Sequence, residues 1–133
     1  MKRLHDWQLR LAEFAAARRA LPFAWGANDC CLFAADAALS MTGHDPAAGL
    51  RGYATALQAA RVLRAHGGVQ GLADARLGER VGPLMARVGD VVLVQMGNHD
   101  ALGVCNGTSL IGPGPAGIVA IGMGHAKAAW RIG

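Results

Sequence analysis

The chain has 133 residues, 53% of them hydrophobic, and a formal net charge of +4. That length suits one domain with a sizeable core, packed closely because alanine and glycine supply much of the apolar fraction. No stretch reaches the ~18 uninterrupted apolar residues of a membrane-spanning helix, and the positive charge comes without an aromatic stacking platform or a long basic run, so neither membrane insertion nor nucleic-acid binding is expected.

The opening, Met1 to Asp6, lacks the continuous apolar stretch of a signal peptide. Residues 3–19 carry Leu4, Trp7, Leu11 and Phe14 at spacings of three and four, the stripe of a helix. Arg18 and Arg19 fall in its last turn, where cations suit the helix dipole, and Pro22 stops it. A second helix is expected over 29–42, with Cys30, Phe33, Ala34, Ala37, Ala38 and Met41 along one side. Asn28 or Asp29 can cap it and Gly43 ends it. A third helix is expected over 55–65, closed by Gly67-Gly68, and a short fourth from Val69 to Leu77.

From Gly82 onward the pattern changes to short apolar runs punctuated by glycine, which predicts an antiparallel sheet. Val88 to Gln95 reads as a buried strand, Gly97 to Asp100 as the connection after it, and Ala101 to Asn106 as the next strand. Asn106-Gly107 is a hairpin signal. Thr108 to Gly112, Gly117 to Ile121 and Ala128 to Ile132 complete the set. The expectation is one α+β domain over 1–133, helical to about residue 80, with a roughly five-stranded antiparallel sheet from about 82.

Cys30 is the residue that carries chemistry. It stands in the first turn of a predicted helix, where the positive end of the dipole favours a thiolate and makes a candidate nucleophile. Cys31 lies about 100° round the helix from Cys30 and is read with Cys105 as a small packed side chain. An odd number of cysteines, two of them adjacent, makes a disulfide framework improbable and suits a reducing cytoplasm. Cys30, Cys31, Cys105 and His99 lack metal-ligand spacing, so neither a metal nor another cofactor is expected. His44 and His125 flank turn glycines and read as exposed, while Trp25 and Trp130 read as packing anchors. Asp36, on an alanine-rich helix, needs a partner such as Arg51 or Arg131. Asp90 is expected to bond its local backbone.

The order of elements and motifs resembles the NlpC-type cell-wall cysteine peptidases, compact members of the papain-like fold. Their Asp-Cys-x-x-hydrophobic opening is matched by Asp29-Cys30-Cys31-Leu32-Phe33, and their Gly-Asp-hydrophobic strand by Gly89-Asp90-Val91. Their His-hydrophobic-Gly-hydrophobic strand is matched by Ala101-Leu102-Gly103-Val104 in all but the histidine. The chain is also similar to a family of small proteins of tailed bacteriophages and gene-transfer-agent-like clusters. The shared features are the stretch from Trp25 to Asp36, the Thr42 to Pro46 turn, the strand opening Ala101 to Gly103, and the closing Ala129-Trp130-Arg131. That resemblance implies a place in the virion tail, at the tip or baseplate beside other tail proteins, after synthesis in the host cytoplasm.

The resemblance sets Ala101 opposite Cys30, where the catalytic histidine belongs. Leu110 to Pro113 offers no third, orienting polar residue. His99 is the candidate displaced base, but along an extended strand it lies roughly 6.6 Å from position 101, so a bulge or curled loop would have to bring it to Cys30. Two function classes follow. One is a structural or interaction component of a tail tip or baseplate, built on a degenerate peptidase fold. The other is a peptidoglycan peptidase or amidase with Cys30 as nucleophile and His99 as base.

Overall fold

A computed structural model describes residues 1–133. Four helices come first: α1 (Trp7–Arg18), α2 (Cys30–Thr42), α3 (Ala56–Ala65) and α4 (Gly68–Arg76). Six strands follow: β1 (Arg80–Val81), β2 (Val91–Met96), β3 (His99–Cys105), β4 (Ser109–Gly114), β5 (Gly117–Gly122) and β6 (Ala126–Trp130). The strands form one antiparallel sheet in the order β1-β6-β2-β3-β4-β5.

The α+β class and the four helices match the sequence reading, but the sheet has six strands, not five. The additional strand, β1, is two residues long and exists through its pairing with Ala129 and Trp130 of β6. A second correction concerns Gly97 to Asp100. Only Gly97 and Asn98 turn, because Met96 pairs with His99 and Gln95 with Asp100. Gly97 has φ +64° and no non-glycine residue has positive φ, the requirement of a two-residue hairpin turn with glycine first. His99 and Asp100 are therefore strand residues.

Helix α2 lies against the middle of the sheet because its contact face is made of short side chains. Ala34, Ala38 and Met41 meet Val91 and Leu93 of β2, Leu102 of β3, and Ala128 and Trp130 of β6. Phe33 and Ala37 meet Val104 and Ile111, and Phe14 of α1 sets its ring edge against Phe33 at 5.0 Å. The opposite face of the sheet is also covered. Val92, Val94, Cys105, Leu110 and Ala129 lie there beneath Val81 and Ala86 from one side and Ile121 and Met123 from the other. Covering on both faces is why β2 begins Val-Val-Leu-Val with no alternation.

Asp90 joins the two ends of the chain. Its carboxylate is fully buried and accepts hydrogen bonds from the Arg87 and Ile132 amides and from the guanidinium groups of Arg3 and Arg131. Arg3 also donates to the Val88 and Ile132 carbonyls. The reading of Asp90 as a local backbone cap covers only the first of these bonds. Arg131 being engaged here, Asp36 takes Arg18 and Arg51, each at 2.6 Å.

Candidate functional site

Cys30 is the first residue of α2, and its position follows from Asp29. The Asp29 side chain caps the helix by accepting from the Leu32 amide at 2.9 Å. It also accepts from the Gly26 amide at 3.0 Å and from the Tyr53 hydroxyl at 2.5 Å. Three donors thus hold both oxygens of this buried carboxylate, as burial of a polar group requires. Gly26 has φ +76°, and a Cβ there would strike the Tyr53 carbonyl, so glycine is needed for both conformation and close approach. Beside it, Asn28 donates to the Leu21 and Pro22 carbonyls and accepts from Arg18. The segment that presents Cys30 is thus pinned at each end.

Cys30 is half-buried, and its sulfur lies beside the Cys31 thiol and the Leu102 and Cys31 amides. The Cys31 thiol holds the Cys30 pKa below the ordinary cysteine value. Burial opposes that shift and the Leu102 N–H reinforces it. The same contact pushes the Cys31 pKa far up, with burial adding to the rise. The two thiols therefore do interact, against the expectation from their angular separation. The ~100° between neighbours fixes Cβ directions, and rotation about χ1 is enough to bring the sulfurs together.

Leu102 is available because of sheet geometry. Cys105 exchanges bonds with the β2 side, donating to Asp90 and accepting from Gly89. Alternate residues of β3 thus turn their amides toward β2, and Leu102 is in the other set, facing β4. Pairing with β4 covers only Val104 and Cys105. No ladder pairing with β4 is left for Leu102, whose side chain packs toward α2.

Ala101, which the sequence resemblance sets opposite Cys30, does not face it. It pairs with Val94, and both pack on the sheet face remote from α2, whereas Leu102 packs toward the helix. Strand alternation gives His99 the same side as Ala101 and gives Asp100 the side of Leu102. His99 is exposed and makes no hydrogen bond to Cys30. Asp100 pairs with Lys127 at 3.2 Å.

Cys30, His99, Asp100, Ala101 and Leu102 nevertheless border one groove of about 710 Å³. Its walls are the start of α2, the α3–α4 pair and the end of the β2–β3 hairpin, and 20 of its 27 lining residues are hydrophobic. Val62, Leu63, Val69 and Leu72 make up the helical wall. The charged residues in the lining are engaged: Asp29 in its cap, Asp100 with Lys127, and Arg76 on the Ala48 carbonyl at 2.7 Å. Burial is the main cause that raises the Tyr53 hydroxyl pKa, and its bond to Asp29 adds to it, so Tyr53 is a neutral donor. Trp25 is a correction. It is 45% exposed at the groove rim, edge-on to Phe23 at 4.9 Å, not a buried anchor. Trp130 is the buried anchor, with its indole N–H donated to Asp74.

Tyr53 and Leu102 are the site residues that sequence reasoning missed. Nothing in the spacing ties residue 53 to residue 29, and a backbone amide has no sequence signature. No group of three or more histidine, cysteine or acidic side chains is placed to hold a metal ion, and no helix is long and apolar enough to cross a membrane. No curated protein matches the chain. A family described as "Domain of unknown function (DUF6950)" matches residues 2–132, and the chain belongs to that family.

Proposed function

We propose that this chain is a papain-like domain of the NlpC type that has lost hydrolysis and serves as a structural or interaction component of a bacteriophage tail tip or baseplate. The observation that carries the first half is the environment of the Cys30 sulfur: the Cys31 thiol and the Leu102 and Cys31 amides lie beside it, and His99 makes no hydrogen bond to it. A hydrolase of this kind needs an imidazole there, as base for the thiol and as acid for the leaving amine. Loss of such a group typically lowers the rate about 10²–10⁴-fold. The groove adds support. Peptidoglycan stem peptides carry free carboxylates and amines, whereas the groove wall is apolar and its charged residues are already engaged. The tail assignment rests on the motif resemblance from Trp25 to Asp36 and at Ala129-Trp130-Arg131. Purified virions are the test: the polypeptide is expected in them at fixed stoichiometry, and its absence from particles but presence in host cytosol contradicts the tail role.

A second reading has one observation in its favour. His99 and Cys30 border the same groove, so a movement of the β2–β3 hairpin end could bring the imidazole to the sulfur. The domain would then be a peptidoglycan peptidase or amidase acting during genome delivery.

A further inference from the structure

We propose that the groove holds a long hydrocarbon chain and that Cys30 on its wall accepts the attached acyl group from an acyl thioester, forming a stable protein thioester. The groove volume of about 710 Å³ lies within the ~300–1,000 Å³ range of sites that bury most of a small ligand. Its chemistry selects the occupant. The helical wall presents aliphatic side chains from α3 and α4, and the charged side chains at its border are already bonded to protein groups. A chain without charge or hydrogen-bonding groups leaves nothing unpaired in such a space, whereas a peptide would bring amides with no partners.

The reactive atom is placed at that space. Cys30 is half-buried on the groove wall, and the Cys31 thiol and Leu102 amide favour its thiolate. In the step, the Cys30 sulfur attacks the thioester carbonyl, the new S–C bond forms, and the donor's C–S bond breaks. The departing thiolate takes up the proton that Cys30 has lost, so the exchange is balanced without an oxidant or a metal. The proposal rests on the non-hydrolytic reading of Cys30, since a hydrolase would release the acyl group to water.

The test incubates the full chain with palmitoyl-CoA and, separately, with acetyl-CoA, and follows intact mass and the modified peptide. Palmitoyl transfer to Cys30 is expected to exceed acetyl transfer by about tenfold or more, because only the long chain buries apolar surface in the groove. The Cys30→Ser variant should form no thioester. Val62→Glu, which puts a carboxylate in the helical wall, should lower palmitoyl transfer by about tenfold while Cys30 still reacts with iodoacetamide. Leu57→Glu, on the same helix but outside the groove and 63% exposed, should leave transfer unchanged. Absence of palmitoyl transfer while iodoacetamide labels Cys30 overturns the proposal. Equal palmitoyl and acetyl rates, or insensitivity to Val62→Glu, overturn it too by showing an ordinary thiol. Continuous release of free palmitate instead contradicts the non-hydrolytic reading, so the two failures are distinguishable.

Discussion

The Leu102 amide is left for the Cys30 sulfur because β4 pairs with β3 only at Val104 and Cys105. The end of that pairing therefore frees a donor beside the start of α2. Together with the Cys31 thiol, that donor favours the thiolate at Cys30.

Thiol labelling should reflect this arrangement. At pH 7, iodoacetamide is expected to modify Cys30 ahead of Cys31, whose pKa is pushed up, and ahead of the buried Cys105. Replacing Cys31 with Ala removes the largest stabiliser of the Cys30 thiolate. The pH midpoint of Cys30 labelling should then move up, and the rate at pH 7 should fall. A midpoint that stays in place or moves down contradicts the thiol–thiol contact.

Asp29 should matter for stability rather than for chemistry. In Asp29→Ala the α2 cap is lost, at about 1 kcal/mol, and the half-buried Tyr53 hydroxyl loses its acceptor, at about 1–3 kcal/mol. The expected loss is about 2–4 kcal/mol by urea unfolding. Tyr53→Phe removes the donor and leaves the cap, so it should cost about 1 kcal/mol. A Tyr53→Phe loss as large as that of Asp29→Ala contradicts the division.

Much of this architecture is legible in the residues, and what is missed has physical causes. The Asn28-Asp29 pair before Cys30 marks the start of α2 and Gly43, at φ +75°, its end, because caps are local. The close approach of α2 to the sheet follows from its alanines. By contrast, β1 has no pattern of its own and exists through pairing with β6. The strand character of His99 and Asp100 depends on register across the hairpin. The side to which Ala101 points depends on which face α2 covers, a tertiary choice that a one-residue motif match does not encode. Tyr53 reaches Asp29 through a loop containing Gly49 and Gly52, both at positive φ, and nothing in the intervening sequence names the partner.

Asp90 should be the most costly single carboxylate to remove. Asp90→Ala leaves the Arg3 and Arg131 guanidinium groups and two amides without their acceptor. Breaking a buried pair in this way costs about 3–5 kcal/mol. Chemical denaturation should show a loss in that range, and a loss under about 1 kcal/mol contradicts the role of Asp90 in joining the chain ends.

Acid should weaken the fold only at low pH. Arg10 holds the Asp6 pKa below the ordinary carboxylate value, Arg51 does so for Asp45, and Arg80 with the Trp130 indole does so for Asp74. A pKa depressed by folding contributes stability above the unfolded value of about 3.9. That contribution is lost as pH falls through the folded value. Urea midpoints should therefore match at pH 7 and pH 5 as far as these groups are concerned, and drop by pH 3. A midpoint that rises toward pH 3 contradicts the assignment.

The central claim is that this α+β domain holds Cys30 without hydrolysing peptidoglycan, and digestion of purified sacculi tests it most directly. Wild type, Cys30→Ser and His99→Ala are compared for release of soluble muropeptides. All three are expected to remain at background. Cleavage by the wild type that is lost in both variants would make His99 the working base and contradict the account.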